Sequence, residues 1–307
     1  MDVNKITKAE IKEAISRSGY LIERRVSTVL SSNYFVRPNH TYLDPISEKT
    51  REIDLKADST LMWTEEFYLG GIHCSIICEC ENNTQPIIFF PFKPLMPIAA
   101  SSFIKCLGMP MKIWKDNNYE DIVTYLPFHK FHHYCKGNCT TQYCSFIKRK
   151  DKGKWFATHL EEQHDTFNSL VYSGEYEIDE FYKDYWQPPE KDEKEPVLIQ
   201  LIYPLVVLGG DLMEAYVRKR QLVIKKVKHT QYINKLYISG REAGYIIDVI
   251  TEDYLNEYVK IIEYEVEKLK NLVRRHRRII QLSIDRIIED VKNSEKPDSY
   301  RKLLTTE

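Results

Sequence analysis

The sequence predicts an α/β fold in which a mixed central sheet is flanked by helices and followed by a long C-terminal helix. Three observations carry that expectation. Residues 8–92 read as two amphipathic helices followed by strands joined by turns, the order expected of a mixed sheet with helices packed on it. Short apolar, β-branched runs recur later, at Val197 to Leu208, Leu222 to Val227 and Tyr245 to Ile250. From Glu252 to Lys292, apolar residues step by four and three along one continuous helical pattern. With 307 residues, 43% of them hydrophobic, the chain can bury a core without disulfide or metal staples.

Thr7-Lys8-Ala9-Glu10 is a capping box, and it opens a helix with Ile11 and Ile15 on one face and Gly19 as its stop. Tyr20 to Leu30 forms a second helix whose stripe is Ile22, Val26, Val29 and Leu30. Tyr34 to Leu43 is extended, Asp44 to Thr50 turns, and Arg51 to Ala57 alternates as a strand. A loop with Gly70-Gly71 leads to a strand from Ile72 to Glu81, and Pro86 to Phe92 is a further buried strand. Phe128 to Cys144 is dense in His, Cys and aromatic residues. Trp155 to Leu170 is expected to be helical, with Ala157, Leu160, His164 and Phe167 on one side. Tyr182 to Pro196 is acidic and proline-bearing, and reads as a surface loop. Gly209-Gly210 separates two of the later strands, and Thr251 or Asp253 caps the last helix. These readings divide the chain into a core at 1–250, with a His/Cys-rich insertion at about 95–196, and a helix and tail at 251–307.

Chemistry is concentrated on two strands. In Glu52-Ile53-Asp54-Leu55-Lys56-Ala57, alternation sends Ile53, Leu55 and Ala57 to the core and Glu52, Asp54 and Lys56 to the other side. In Ile77-Cys78-Glu79-Cys80-Glu81, the two acids share one face and the two cysteines the opposite one. If these strands are neighbours, Asp54, Glu79 and Glu81 converge. Like charges that close repel unless something neutralises them, and a hard divalent cation with oxygen ligands is the usual answer. The plainer alternative is one wet sheet face, which suits Glu52 and Lys56. It suits Glu79 and Glu81 less well, because apolar runs stand on both sides of them.

The stretches Gly19-Tyr20-Leu21-Ile22-Glu23-Arg24-Arg25-Val26, Arg51-Glu52-Ile53-Asp54 and Ile76-Ile77-Cys78-Glu79-Cys80-Glu81 occur in a telling order. They resemble the PD-(D/E)xK nuclease superfamily, the restriction-endonuclease-like fold, over roughly residues 10–92. The resemblance implies that Asp54 and Glu79 hold Mg2+ or Mn2+, that Glu81 serves the same metal site, and that Glu23 assists from its helix. It also implies hydrolysis of DNA phosphodiester bonds, in restriction or phage defence. The chain departs from the pattern at Glu81, where the superfamily carries the lysine that orients the attacking water. A glutamate there can hold a second metal or act as a base, and Lys56 or Lys93 can supply a displaced ammonium. The same departure leaves open an inert relative that binds nucleic acid or a protein partner and dimerises through its C-terminal helix.

Other signals are weaker. Cys135, Cys139 and Cys144, with His132 and His133 before them, have the residue types of a zinc site. Their spacing matches no common finger, so buried thiols are the simpler reading. His159 is expected to be a packed core histidine. Basic clusters occur at Arg274 to Arg278, at Lys148 to Lys154 and between Arg218 and Lys228. A formal net charge of -1 means that any DNA contact must come from such local patches. Seven cysteines cannot all pair, and the opening residues form no secretory leader, so reduced thiols and a cytoplasmic location are expected. The longest apolar run is broken by Gln200 and Pro204, so no membrane anchor is expected.

Overall fold

The computed structural model describes residues 5–65, 68–92, 97–110, 112–148, 153–159, 161–184 and 197–292. Two helices, α1 (Lys8–Arg17) and α2 (Tyr20–Leu30), precede strands β1 (Phe35–Leu43), β2 (Thr50–Glu65), β3 (Tyr68–Glu81) and β4 (Ile87–Phe92). Short elements follow: α3 (Pro97–Ser101), β5 (Lys105–Leu107), β6 (Lys112–Lys115), β7 (Asn118–Asp121) and α4 (Ile122–Tyr125). Then come β8 (Cys139–Lys148), β9 (Trp155–Thr158) and the long helix α5 (Glu161–Asp184). The last described elements are β10 (Val197–Leu208), β11 (Leu212–Arg218), β12 (Gln221–Lys226), β13 (His229–Ile238), β14 (Arg241–Thr251) and α6 (Leu255–Lys292).

The fold is mixed α/β, and its large sheet runs in the order β1-β2-β3-β10-β14-β13-β8-β4-β11-β12. β1, β2 and β3 form an antiparallel meander, whereas β3, β10 and β14 are parallel. Register aligns Glu81, Leu208 and Thr251, so these three parallel strands finish along one edge. Pro204 falls where β10 changes partner on one side, from β5 at Gln200–Ile202 to β14 at Leu205–Leu208. That is a place where a strand tolerates a missing N–H.

Alternation along the strands separates two cores. Ile76, Leu205 and Ile246 pack with Ile22, Val26 and Leu30 of α2 and with α6, whereas Ile77, Val206 and Ile247 pack with Phe167, Leu170 and Val171 of α5. Each fully buried aliphatic or aromatic side chain contributes about 1.5–3 kcal/mol, and both faces of the sheet gain from it. The tyrosines belong to this packing: Tyr42, Tyr134, Tyr203, Tyr245 and Tyr258 are among the largest fully buried side chains.

Several expectations change. α1 forms with its capping box, but Ser18 caps its end and Gly19 instead begins α2. Ile11 and Ile15 are 40% and 41% exposed, so the stripe of α1 is not core. Gly70-Gly71 lies inside β3, with Trp63 and Met62 of β2 packed over it. Trp155–Thr158 is a strand and the helix starts only at Glu161, so His159 is exposed and touches Tyr143 from the surface. α5 continues to Asp184, where a loop was expected; residues 185–196 lie outside the described residues, as do Lys93 and Leu160. The expected insertion at 95–196 supplies α5 and β8, both integral to the core.

The seam of α6 is spent within the chain. Leu255, Val259, Ile262, Val266, Leu269, Val273, Ile280 and Ile284 are all buried in the core on the α2 side of the sheet. The 38-residue helix therefore spans the domain, about 57 Å at a rise of 1.5 Å per residue, rather than reserving that seam for a second copy.

Candidate active site at the strand edge

The four acids of interest gather where β2 begins and β3 ends. The β2–β3 register pairs Leu55 with Cys78, and one step further it sets Asp54 opposite Glu79. Asp54 accepts a hydrogen bond from the Cys80 backbone N–H at 2.7 Å. Glu79 faces α5, where the Ser169 hydroxyl donates to it. Its carboxyl also meets that of Asp54. Burial pushes Glu79 well above the usual carboxylate range, and the Asp54 charge pushes it further, while Ser169 acts the other way. Burial raises Asp54 as well, opposed by the Cys80 N–H and by Glu79. The consistent arrangement is one proton held on Glu79 and offered to the Asp54 carboxylate.

Glu23 reaches the same place from α2. Burial first, and the Asp54 charge second, raise its pKa. The absence of a side chain at Gly19 makes room: a Cβ there would lie 2.9 Å from Glu23 Oε1 and 3.9 Å from the Cys80 carbonyl oxygen. Asn82, just past β3, donates to the Ser16 and Ser18 carbonyls at 3.2 and 3.0 Å. This pins the α1–α2 corner onto the strand end. All four acids are half-buried rather than sealed.

Glu81 is on the same face but stands apart. Two residues along a strand separate side chains by about 6.6–6.8 Å, and the Thr166 hydroxyl of α5 donates to Glu81. Asp54, Glu79 and Glu81 do not close into a three-ligand group. Among the described residues, His132, His133 and Glu265 form the set whose ligand atoms all fall within 4.8 Å. The acid site is thus a carboxyl pair with two flanking carboxylates. Its donors are oxygens from carboxylates and hydroxyls, which suit a hard cation.

Lys56 is the larger surprise. It was expected on a wet face, yet it is 5% exposed and ion-paired with Glu177 of α5, which His40 also contacts at 3.3 Å. Nor do Ile53, Leu55 and Ala57 share one core: Ile53 joins the α5 side, the other two the α2 side. The break lies opposite Asn39, whose φ of 50° interrupts β1 between the Pro38–Leu55 and His40–Ile53 pairs. Thr166, Ser169 and Glu177 were not anticipated. The signal available was their spacing along one helix face, which means little until α5 is known to cross these strands.

A second polar cluster lies beneath α6. His133 is held between Asp248 at 2.8 Å and Glu265 at 2.9 Å, and Glu265 also accepts from Tyr203 at 3.1 Å. Tyr258 and His229 each contact Asp248 at 2.8 Å. Although burial opposes the charge, the two carboxylates push His133 up to about 10, whereas burial drives His132 down to about 3. The His132 and His133 rings stack 4.9 Å apart at 13°. A metal lies near the plane of each imidazole that binds it, so two stacked rings cannot share one without rotating. Both nitrogens of His133 already have carboxylate partners. The cluster is a satisfied charge network joining β10, β13, β14 and α6.

Cys135, Cys139 and Cys144, for which buried thiols are a simpler reading than zinc ligands, are all buried thiols. Cys135 and Cys139 belong to one core cluster and Cys144 to another, and burial pushes the Cys135 thiol up to about 12. Beside the acid edge a cleft of about 780 Å³ is lined by Arg25, Gly209, Lys226, Lys228 and Asp253. Its floor adjoins the site, because Gly209 N–H donates to the Glu81 carbonyl at 2.8 Å. No helix among the described residues is long and apolar enough to cross a membrane. Comparison of the chain with protein-family models, with curated proteins and with solved structures found no match.

Proposed function

We propose that this chain is a metal-dependent nuclease of the PD-(D/E)xK kind, acting on DNA. The observation that carries the proposal is the facing pair of Asp54 and Glu79 carboxyls on a half-open sheet edge, one held by the Cys80 N–H and the other by the Ser169 hydroxyl. Open α/β sheets bind their ligands outside the carboxyl ends of parallel strands, and β3, β10 and β14 end here. A helix glutamate, a strand aspartate and a Glu-x-Glu pair follow in the order that the resemblance implies.

Asp54 and Glu79 would hold Mg2+ or Mn2+, with Glu23 reaching over from α2. The ion, when bound, supplies a lowered water pKa and neutralises charge on the phosphate. The protein's own residues position it. Cys80 N–H fixes the Asp54 carboxylate, Ser169 fixes Glu79, and Thr166 holds Glu81 at the margin, where a base is needed. Lys56 stands two residues from Asp54 in β2, but Glu177 neutralises it.

The test is cleavage of mixed DNA and RNA substrates with Mg2+ or Mn2+, beside Asp54→Asn and Glu79→Gln. Metal-dependent cleavage lost in both variants supports the reading. No cleavage by the wild type with either metal on any substrate overturns it.

A further inference from the structure

The β11–β12 hairpin leaves the sheet beside the acid site and extends into solvent. Its root is shared with that site: Leu212 of β11 pairs with Ile87, and Gly210 N–H donates to Asn83 at 2.9 Å. At its foot, Lys226 pairs with Asp211 and Lys228 with Asp253 at 2.5 and 2.6 Å, both on the wall of the cleft. From the Tyr216–Val223 pair onward, most of the ribbon is exposed on both faces.

Its composition is one-sided. Between Ala215 and His229 stand Arg218, Lys219, Arg220, Lys225, Lys226 and Lys228 with no acidic residue, in a chain whose formal net charge is -1. Arg218, Lys219, Arg220 and Lys225 form no ion pair with the described residues. Lys219 and Arg220 make the turn itself, with φ of 49° and 65°. Left-handed conformations at both turn positions define a tight hairpin that strongly prefers Asn-Gly. Two long cations there are a strained choice that folding alone does not favour.

The two sides of the ribbon differ. The cross-strand pairs Val217–Leu222 and Ala215–Ile224 put Val217, Leu222 and Ile224 on one side, at 74%, 64% and 51% exposure. Tyr216, Arg218 and Lys225 lie on the other. Charges that merely guard a sheet edge against pairing would not leave such an apolar face bare. A ligand that presents phosphates on its walls and methyl groups on its floor accounts for both. The major groove of B-form DNA is about 12 Å wide, admits a two-stranded ribbon and exposes thymine methyls.

We infer that the β11–β12 hairpin is a duplex-DNA-binding ribbon that enters the major groove, with Arg218, Lys219, Arg220 and Lys225 on the phosphates and Val217, Leu222 and Ile224 toward the bases. As the device that presents DNA to the acid site, it rests on the nuclease reading; as a DNA-binding element it does not.

The experiment measures binding of the full chain to a labelled DNA duplex by fluorescence anisotropy, in EDTA so that no cleavage occurs, across a salt series. The variant is Lys219→Asn with Arg220→Gly. It installs the preferred turn and is expected to raise the unfolding temperature by about 2–4 °C. Its DNA affinity falls on the order of tenfold or more, and its log–log salt slope is shallower by about 1.8, at 0.9 per lost phosphate contact. Arg218→Gln with Lys225→Gln has a comparable effect. An RNA duplex of the same sequence binds more weakly, because its major groove is deep and narrow.

Wild-type affinity in the stabilised turn variant overturns the inference, as does an RNA duplex bound as tightly as DNA. So does a Val217→Ser, Ile224→Ser variant whose mass in solution falls while DNA binding is unchanged, since the apolar face would then be a contact between copies of the chain. A wild type that binds through the hairpin but never cuts removes the nuclease reading alone. A wild type that cuts, with hairpin variants binding as well as it does, removes the hairpin alone.

Discussion

Replacing Glu79 with Gln tests the acid pair without disturbing its shape. The amide N–H of Gln can donate to Asp54 as the carboxylic acid does, so the hydrogen bond survives. The titration does not. Burial and the Asp54 charge raise Glu79 above its ordinary 4.5. Below pH 4.5 the carboxyl is protonated in both the folded and unfolded chain. Between there and its raised value only the unfolded chain loses the proton, so the wild type loses stability as pH rises. The slope is at most about 1.4 kcal/mol per pH unit, and the half-open edge screens it downward. Each pH unit inside that window is therefore at most roughly 3–6 °C in unfolding temperature for a chain of this size. Glu79→Gln lacks this term. Without divalent metal, the variant gains on the wild type as pH rises above 4.5 towards the raised value of Glu79. Metal reverses the order, because cation binding releases the Glu79 proton and Gln binds the ion poorly. Thermal unfolding by circular dichroism at several pH values, with EDTA and with Mn2+, measures both effects. A difference between the two proteins that does not change with pH would refute the shared-proton arrangement.

Two further perturbations probe the rest of the fold. His133→Gln removes the imidazolium between Asp248 and Glu265 and is expected to cost about 3–5 kcal/mol in denaturant unfolding. The folded-state pKa of His133 stands at about 10, above the ordinary 6.5, so its stabilisation is full below pH 6.5 and lost as pH rises through 10. Stability of the wild type should fall across that window more steeply than that of the variant, and parallel curves would contradict the assignment. Leu269→Ala, at a 2% exposed position of α6, is expected to cost about 2–5 kcal/mol and leave the mass in solution unchanged. A drop in mass by light scattering would show that the seam serves a second copy after all.

The start of α1, the boundaries of α2, the end of β3 and the start of β4 were legible because their determinants are local. A capping box, a 3.6-residue stripe and an alternating run bounded by Asn82-Asn83 each lie within a few residues. Asp54 and Glu79 were legible as candidates for the same reason, whereas Glu23 was named only because the resemblance implies it. The grouping of His132, His133, Asp248 and Glu265 was not, since these residues come from three distant stretches and touch only when α6 crosses the sheet. The start of α5 was misplaced because Trp155–Thr158, apolar and aromatic, has no local feature separating strand from helix; pairing with β8 decides it.

The sequence by itself determined where charge and apolar surface alternate, and so which residues were available for chemistry. It could not say which of them meet. Periodicity sets the face on which a side chain lies, whereas register and crossing helices set its neighbours. Glu81 and Lys56 illustrate the difference, one drawn to Thr166 and the other buried against Glu177 by a helix roughly a hundred residues away in the chain. Only the tertiary structure decided that Asp54 and Glu79 share an environment in which a proton binds more tightly than in water. That follows from desolvation by elements remote in sequence, which no local pattern encodes.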